Sequence, residues 1–173
     1  MVRALNQFAD STSGVVYIHA APAALCPHVE WAVGSVLDTR PTMHWTPQPA
    51  EAGTVRAELS WQAAQGTGAK LASALRGWSR LRYEVTEEPS PGADGSRWSH
   101  TPALGIHHTP VGVHGDALIG EDRLRSAVAA SGGDPRLLFQ EIDRLLGRAW
   151  DEELEPFRYA GAGAPVRWLH RVG

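Results

Sequence analysis

Three groups of residues in the chain carry side chains suited to chemistry. The first is His19, Cys26 and His28, set around Pro22 and Pro27 where a β-branched run gives way to a helical pattern. The unpaired N–H groups of a helix start favour a thiolate, and a nearby imidazole can act as its base, so the trio carries a nucleophile–base reading. No orienting acid accompanies it, and a free cysteine packs equally well as a small apolar residue. The second group is Gln65, Gly66, Thr67 and Gly68 with Lys70, at the opening of another helical pattern. A helix N-terminus suits an anion, and Lys70 adds a full charge, which points to a phosphate or carboxylate such as that of a nucleotide or acyl-CoA. The full phosphate-loop pattern is missing, and a plain helix cap explains the same residues. The third group is His107, His114 and Asp116. A hairpin turning at 109–112 would set the two imidazoles opposite one another, a donor set for zinc or iron. A slip of one residue separates them, so the reading assigns no metal and expects no cofactor.

Composition narrows the function classes. At 173 residues the chain is long enough for one domain with a substantial core. A hydrophobic content of 43% with 20% charged residues is that of an ordinary globular protein. A net charge of −3 gives no basic footprint for nucleic acid. A single cysteine, Cys26, excludes an internal disulfide and a thiolate zinc cluster. No stretch reaches the roughly 20 apolar residues of a membrane span, and the first residues lack a basic-then-apolar leader. A cytoplasmic protein that binds neither membrane nor nucleic acid is expected.

The elements that must position these residues can be read in order. Residues 1–13 read as an arm, 14–157 as one α+β domain, and 158–173 as a flexible tail. A strand at 14–20 leads into a helix whose stripe is Val29, Ala32, Val33, Val36 and Leu37, ending near Asp38. A short strand at 42–48 carries Pro47 and Pro49, which suits an edge. The clearest alternation follows: Val55, Ala57, Leu59 and Trp61 face one way, Arg56, Glu58, Ser60 and Gln62 the other. A second helix starts at Gly66-Thr67-Gly68 with Thr67 as N-cap, and its stripe is Leu71, Ala74, Leu75 and Trp78. Residues 80–87 alternate again, with Leu81, Tyr83 and Val85 inward. This βαββαβ order predicts a ferredoxin-like core with both helices on one face. To it are added a hairpin of 97–108 and 113–119 and two C-terminal helices, one over 121–131 and one from Asp134-Pro135 to a stop at Pro156. The first and third strands are expected to lie side by side and parallel. That would bring His19, Cys26 and His28 against Gln65, Gly66, Thr67, Gly68 and Lys70 at one rim.

The polar sheet face, with Tyr17, His19, Arg56, Glu58, Ser60 and Glu84, lacks the stacking aromatics that RNA-recognition modules place on their third strand. The C-terminal helices or a partner are expected to cover it. Trp31 falls beside His28 and Ser35, off the apolar stripe, and Trp168 and Leu169 lie in the tail. Exposed aromatics of this kind anchor interfaces, the alternative being partial burial under a neighbouring loop.

The strings NQFADSTSGVVYIH, CPHVEW, HWTPQPA, GTGAKLASALRGW, LRYEVTE, GEDRLR and AWDEELEPFR occur in an order that resembles one actinobacterial family, domain of unknown function 3145. The likeness runs from about residue 3 to residue 158. It implies a small cytosolic protein of high-GC Gram-positive bacteria, associated as an accessory subunit with acyl-CoA carboxylase assemblies, and it brings no catalytic residues. Two functions are therefore carried forward. The first is a non-catalytic interaction or regulatory protein, an accessory subunit of a cytosolic metabolic assembly, with another protein as partner. The second is a small-anion (nucleotide or acyl-CoA) binding protein or enzyme built on the paired helix N-termini.

Overall fold

The computed structural model describes residues 11–159. β1 (Ser11–Pro22) runs into a single 3₁₀ turn and α1 (Cys26–Leu37), which ends where Asp38 takes a left-handed conformation at φ 53°. β2 (Thr46–Pro47) and β3 (Thr54–Ala64) form a hairpin, then α2 (Thr67–Leu75) and β4 (Arg82–Glu87) follow. β5 (Gly95–Thr101) and β6 (Gly105–Val111) make a second hairpin. Three helices close the described chain: α3 (Glu121–Ser131), α4 (Pro135–Leu146) and α5 (Arg148–Tyr159). The strands form one six-stranded sheet in the order β2-β3-β1-β4-β5-β6, with antiparallel neighbours throughout.

Alternation drives this arrangement. Val16 and Ile18 of β1, Trp61 of β3, and Tyr83 and Val85 of β4 point to one face. There they meet Val29 and Val33 of α1 and Leu71 and Leu75 of α2. β4 is buried on both faces, because Glu84 and Thr86 lie under a second layer. That layer is α5, which reaches β6 through Trp150, so among the described residues the outward face is uncovered towards β3 and β2.

Several sequence expectations are corrected. β1 and β3 pair antiparallel, Ser11 opposite Ala64 and Pro22 opposite Thr54. The β2–β3 hairpin reverses the chain once between the two helices, so α1 and α2 begin at opposite rims. The second hairpin turns at 102–104 rather than 109–112, which pairs His107 with Ser99. The last helical stretch is two helices, not one. Gly147, at φ 78°, breaks it, and a β-carbon there would sit 2.5 Å from the His107 ring. Pro156 lies inside α5 instead of ending it. Arg158 and Tyr159, assigned to the tail, belong to that helix. Thr67 is the first residue of α2 and Gly66 occupies the cap position. Other expectations match: α1 stops at Asp38, and the Asp134 side chain accepts from the Arg136 N–H at 2.8 Å to cap α4.

Gly14 is set by close approach: a β-carbon there would meet the Thr86 carbonyl oxygen at 1.9 Å and Trp61 Cζ2 at 2.6 Å. Gly14→Ala must therefore push β4 away from β1, and we expect a loss of at least about 2 kcal/mol in a denaturant titration. An unchanged midpoint would show that the two central strands can part freely.

Candidate functional site

The outward face of the sheet carries a buried polar network centred on Glu84, whose carboxylate is 6% exposed as a residue. Strand alternation places it there between Tyr83 and Val85, both of which enter the core. His19 Nε2 lies 2.7 Å from Glu84 Oε2. Ser99 of β5 donates to Oε1 at 3.2 Å, and Arg158 Nε donates to Oε2 at 2.9 Å while its Nη2 donates to Oε1. Nη2 also reaches Asp151 Oδ1 at 2.8 Å, seven residues earlier on the same helix face. Around this hub, Gln48 Nε2 donates to the carbonyls of His19 (2.6 Å) and Phe157 (3.1 Å). The Arg82 guanidinium stacks on the Phe157 ring at 4.4 Å. At the far end of α5, Trp150 Nε1 donates to the Gly105 carbonyl at 2.9 Å and its ring stacks on His107.

Burial alone would raise the Glu84 pKa, but hydrogen bonds and charge from His19 and Arg158 hold the carboxyl well below the usual carboxylate range. Burial likewise opposes the charge on Arg158, and the Glu84 and Asp151 carboxylates outweigh it, holding the guanidinium above its ordinary value. The network fastens α5 to β1, β4 and β5. Sequence reasoning missed Arg158, Asp151 and Gln48. The one available signal was the spacing of Asp151, Leu154 and Arg158, which at i, i+3 and i+7 share a helix face.

The opposite layer presents Trp31. It is 71% exposed on α1, at the rim of a groove of about 660 Å³ between that helix and residues 38–41. The groove wall is fixed. Glu30 Oε1 accepts from the Met43 N–H at 2.9 Å and from Trp45 Nε1 at 3.0 Å, pinning the chain after α1 against the helix. Gly34 allows that approach, since a β-carbon would sit 2.6 Å from the Thr39 carbonyl oxygen.

The structure divides the predicted ligand cluster. His19 is buried beneath α5 at the β1–β4 centre. Cys26 and His28 start α1 at the Pro22 rim, with His28 against Trp78. Gln65, Gly66, Thr67, Gly68 and Lys70 lie at the other rim. The 12 residues of β1 separate the two rims by roughly 36 Å at about 3.3 Å per residue. No shared pocket exists between them. The α2 start already holds an anion, because Glu87 accepts from the Gly66 N–H at 2.7 Å and the Gly68 N–H at 2.6 Å. Gln65 donates to Ser90, Thr67 is buried and Lys70 is exposed. Burial pushes the Cys26 thiol up, partly offset by a backbone hydrogen bond and reinforced by Glu30, which is the opposite of an activated nucleophile.

The expected facing of His107 and His114 is corrected as well. His107 stacks under Trp150, whereas His114 and Asp116 lie in the turn beyond β6. Among the described residues no cluster of three histidine, cysteine, aspartate or glutamate side chains is placed to hold a metal. Trp168 and Leu169 lie outside the described residues. No described helix is long and apolar enough to cross a membrane.

A direct consequence concerns the ion pair. Arg158→Met leaves the Glu84 charge short of its main partner and should destabilise the protein by about 3 kcal/mol, while Glu84→Met with Arg158→Met recovers most of the loss. The Glu84 pKa is lower folded than unfolded, so the folded protein binds fewer protons below the unfolded carboxylate value of about 4.3. Stability from this group is therefore complete above about pH 4.3 and is lost as pH falls from there. Melting temperatures between pH 3 and 5 should fall less steeply in Glu84→Gln than in the wild type; parallel slopes would remove Glu84 from the acid response.

Residues 15–171 match the family described as protein of unknown function (DUF3145), and the chain belongs to that family. No curated protein and no solved structure matches it.

Proposed function

We propose that this member of the DUF3145 family is a non-catalytic interaction or regulatory protein, an accessory subunit of a cytosolic metabolic assembly. We read β1-α1-β2-β3-α2-β4 as a ferredoxin-like core, with the β5–β6 hairpin and the C-terminal helices as additions to it. The observation that carries the reading is Trp31. A large aromatic ring stands in solvent beside a pre-formed groove whose walls are held by Glu30 and Gly34. Rigid aromatic anchors next to fixed pockets are where interface energy concentrates, because little ordering remains to be done on binding. A second apolar area, on α3 and α4, includes Val128 and Phe139 (70% exposed). The partner we name is an acyl-CoA carboxylase subunit of an actinobacterium, on the strength of the sequence resemblance.

The test is affinity purification from the native host at physiological salt, followed by light scattering of the chain mixed with purified carboxylase subunits. A stoichiometric complex is expected. Trp31→Ala should weaken it at least about tenfold, with a melting temperature close to wild type because the side chain is largely solvated. Phe139→Ala should bind as wild type. A chain that stays alone at native concentrations, or a Trp31→Ala variant with undiminished binding, rejects the proposal.

A further inference from the structure

The part of the outward sheet face that α5 does not reach, over β1, β3 and β2, forms a cleft of about 320 Å³. Its polar walls are Tyr17 and His19 of β1, His44 and Thr46 from the β2 side, and Arg56 and Glu58 of β3. That volume is at the small end of the range for sites that enclose a metabolite. We propose that this cleft binds a small monocarboxylate that also carries a hydrogen-bond donor, such as an amino acid or a hydroxy acid.

Arg56 is the reason. Its Nη1 is buried and has no hydrogen-bond partner among the described residues. The other arginines on this side of the sheet are paired: Arg82 with Glu51, Arg97 with Asp151, and Arg158 with Glu84. A buried guanidinium nitrogen without an acceptor is costly, and a ligand acceptor relieves that cost. The planar fork of arginine matches a carboxylate. Arg56 and Glu58 give the cleft one positive and one negative group, which complements a ligand that carries a carboxylate and a donor together. Glu58 on the same wall opposes a doubly charged phosphate and offers an acceptor for an amine or hydroxyl next to the carboxylate. The rings of Tyr17 and His19 are stacked, 5.9 Å between centroids and 5° between planes, so the buried His19 holds the Tyr17 ring at the side of the cleft. Glu84 fixes His19 in that position from below. The cleft is on the opposite face of the sheet from the Trp31 groove.

The test is a two-dimensional ¹H–¹⁵N NMR titration of the full chain with L-phenylalanine, 3-phenylpropionate and inorganic phosphate. Phenylalanine should saturate, with Kd on the order of millimolar, and move the Arg56 Nε–Hε resonance. 3-Phenylpropionate, which lacks the donor, should bind about tenfold more weakly, a difference that Glu58→Ala, which removes the acceptor, should erase. Arg56→Gln should weaken both carboxylates at least about tenfold while leaving distant resonances in place. If that variant loses its dispersed spectrum, Arg56→Lys, which keeps the charge but not the fork, must show the weakening instead. The proposal is overturned by an absence of saturable shifts with either carboxylate, by phosphate binding more tightly than both, or by wild-type affinity in the folded Arg56 variant.

Discussion

A carboxylate in the middle of a sheet, walled on both faces, is the constraint to which the rest of this structure answers. Glu84 is on a central strand with β1 on one side and β5 on the other. Left alone it would be neutral or the strand would not be buried, since an isolated ion loses far more hydration than packing returns. It is instead met from three elements, by His19, Ser99 and Arg158. Because the arginine comes from the last described helix, the charge dictates how that helix lies. A one-turn slide of α5 would part the Glu84 and Arg158 charges while both stay buried, so the network selects one docking register. An apolar interface would tolerate several.

The same geometry decides what stays open. Having committed Asp151, Leu154 and Arg158 to the β1–β4–β5 centre, α5 cannot also cover β3 and β2. The outward side chains of those strands, Arg56 and Glu58 among them, are left beside a cleft. At the other rim the chain makes a different choice. Glu87, the last residue of β4, turns its carboxylate onto the first N–H groups of α2. Gly68 permits it, because a β-carbon there would sit 2.8 Å from Glu87 Oε2 and 2.7 Å from the Trp98 ring. A glycine-rich helix start that reads as a binding site for an external anion is saturated from within.

Legibility in the sequence followed the range of the interaction. Val55 to Trp61 announced β3 because period-two alternation is local, and Asp134-Pro135 announced α4 because a cap and a first-turn proline act within one turn. The α1 stop at Asp38 was equally local. Errors arose where one residue depended on a distant one. Gly147 separates two helices because the His107 ring, forty residues earlier in the chain, occupies the space of a side chain. The sequence places the second hairpin turn at 109–112 instead of 102–104, a whole strand too late, because Thr109-Pro110 resembles turn chemistry, yet Thr109 is buried in β6 opposite Arg97. The polar face is expected to lie under the C-terminal helices or a partner, and α5 does cover Glu84; that Arg158 meets its carboxylate is not legible, since the two residues are 74 apart in the chain. The relative direction of β1 and β3 was a question of topology: an inserted hairpin strand reverses its sense with respect to the first. That reversal separated Cys26 from Lys70.

Trp31 shows why a chain with an ample core still leaves its largest side chain in water. The inward stripe of α1 is Val29, Ala32 and Val33, with Val36 packed against the core edge. Trp31 stands about 200° around the helix from both Val29 and Val33, at 100° per residue. Rotating it inward would expose both valines and carry Glu30 away from Met43 and Trp45, unfastening the loop that shapes the groove. The helix therefore cannot bury Trp31 without giving up more apolar area than it gains. Covering the exposed part of a tryptophan, on the order of 150 Å² at about 25 cal/mol per Å², releases roughly 4 kcal/mol. Packing among the described elements does not collect that free energy, and a second molecule seated on the α1 face would.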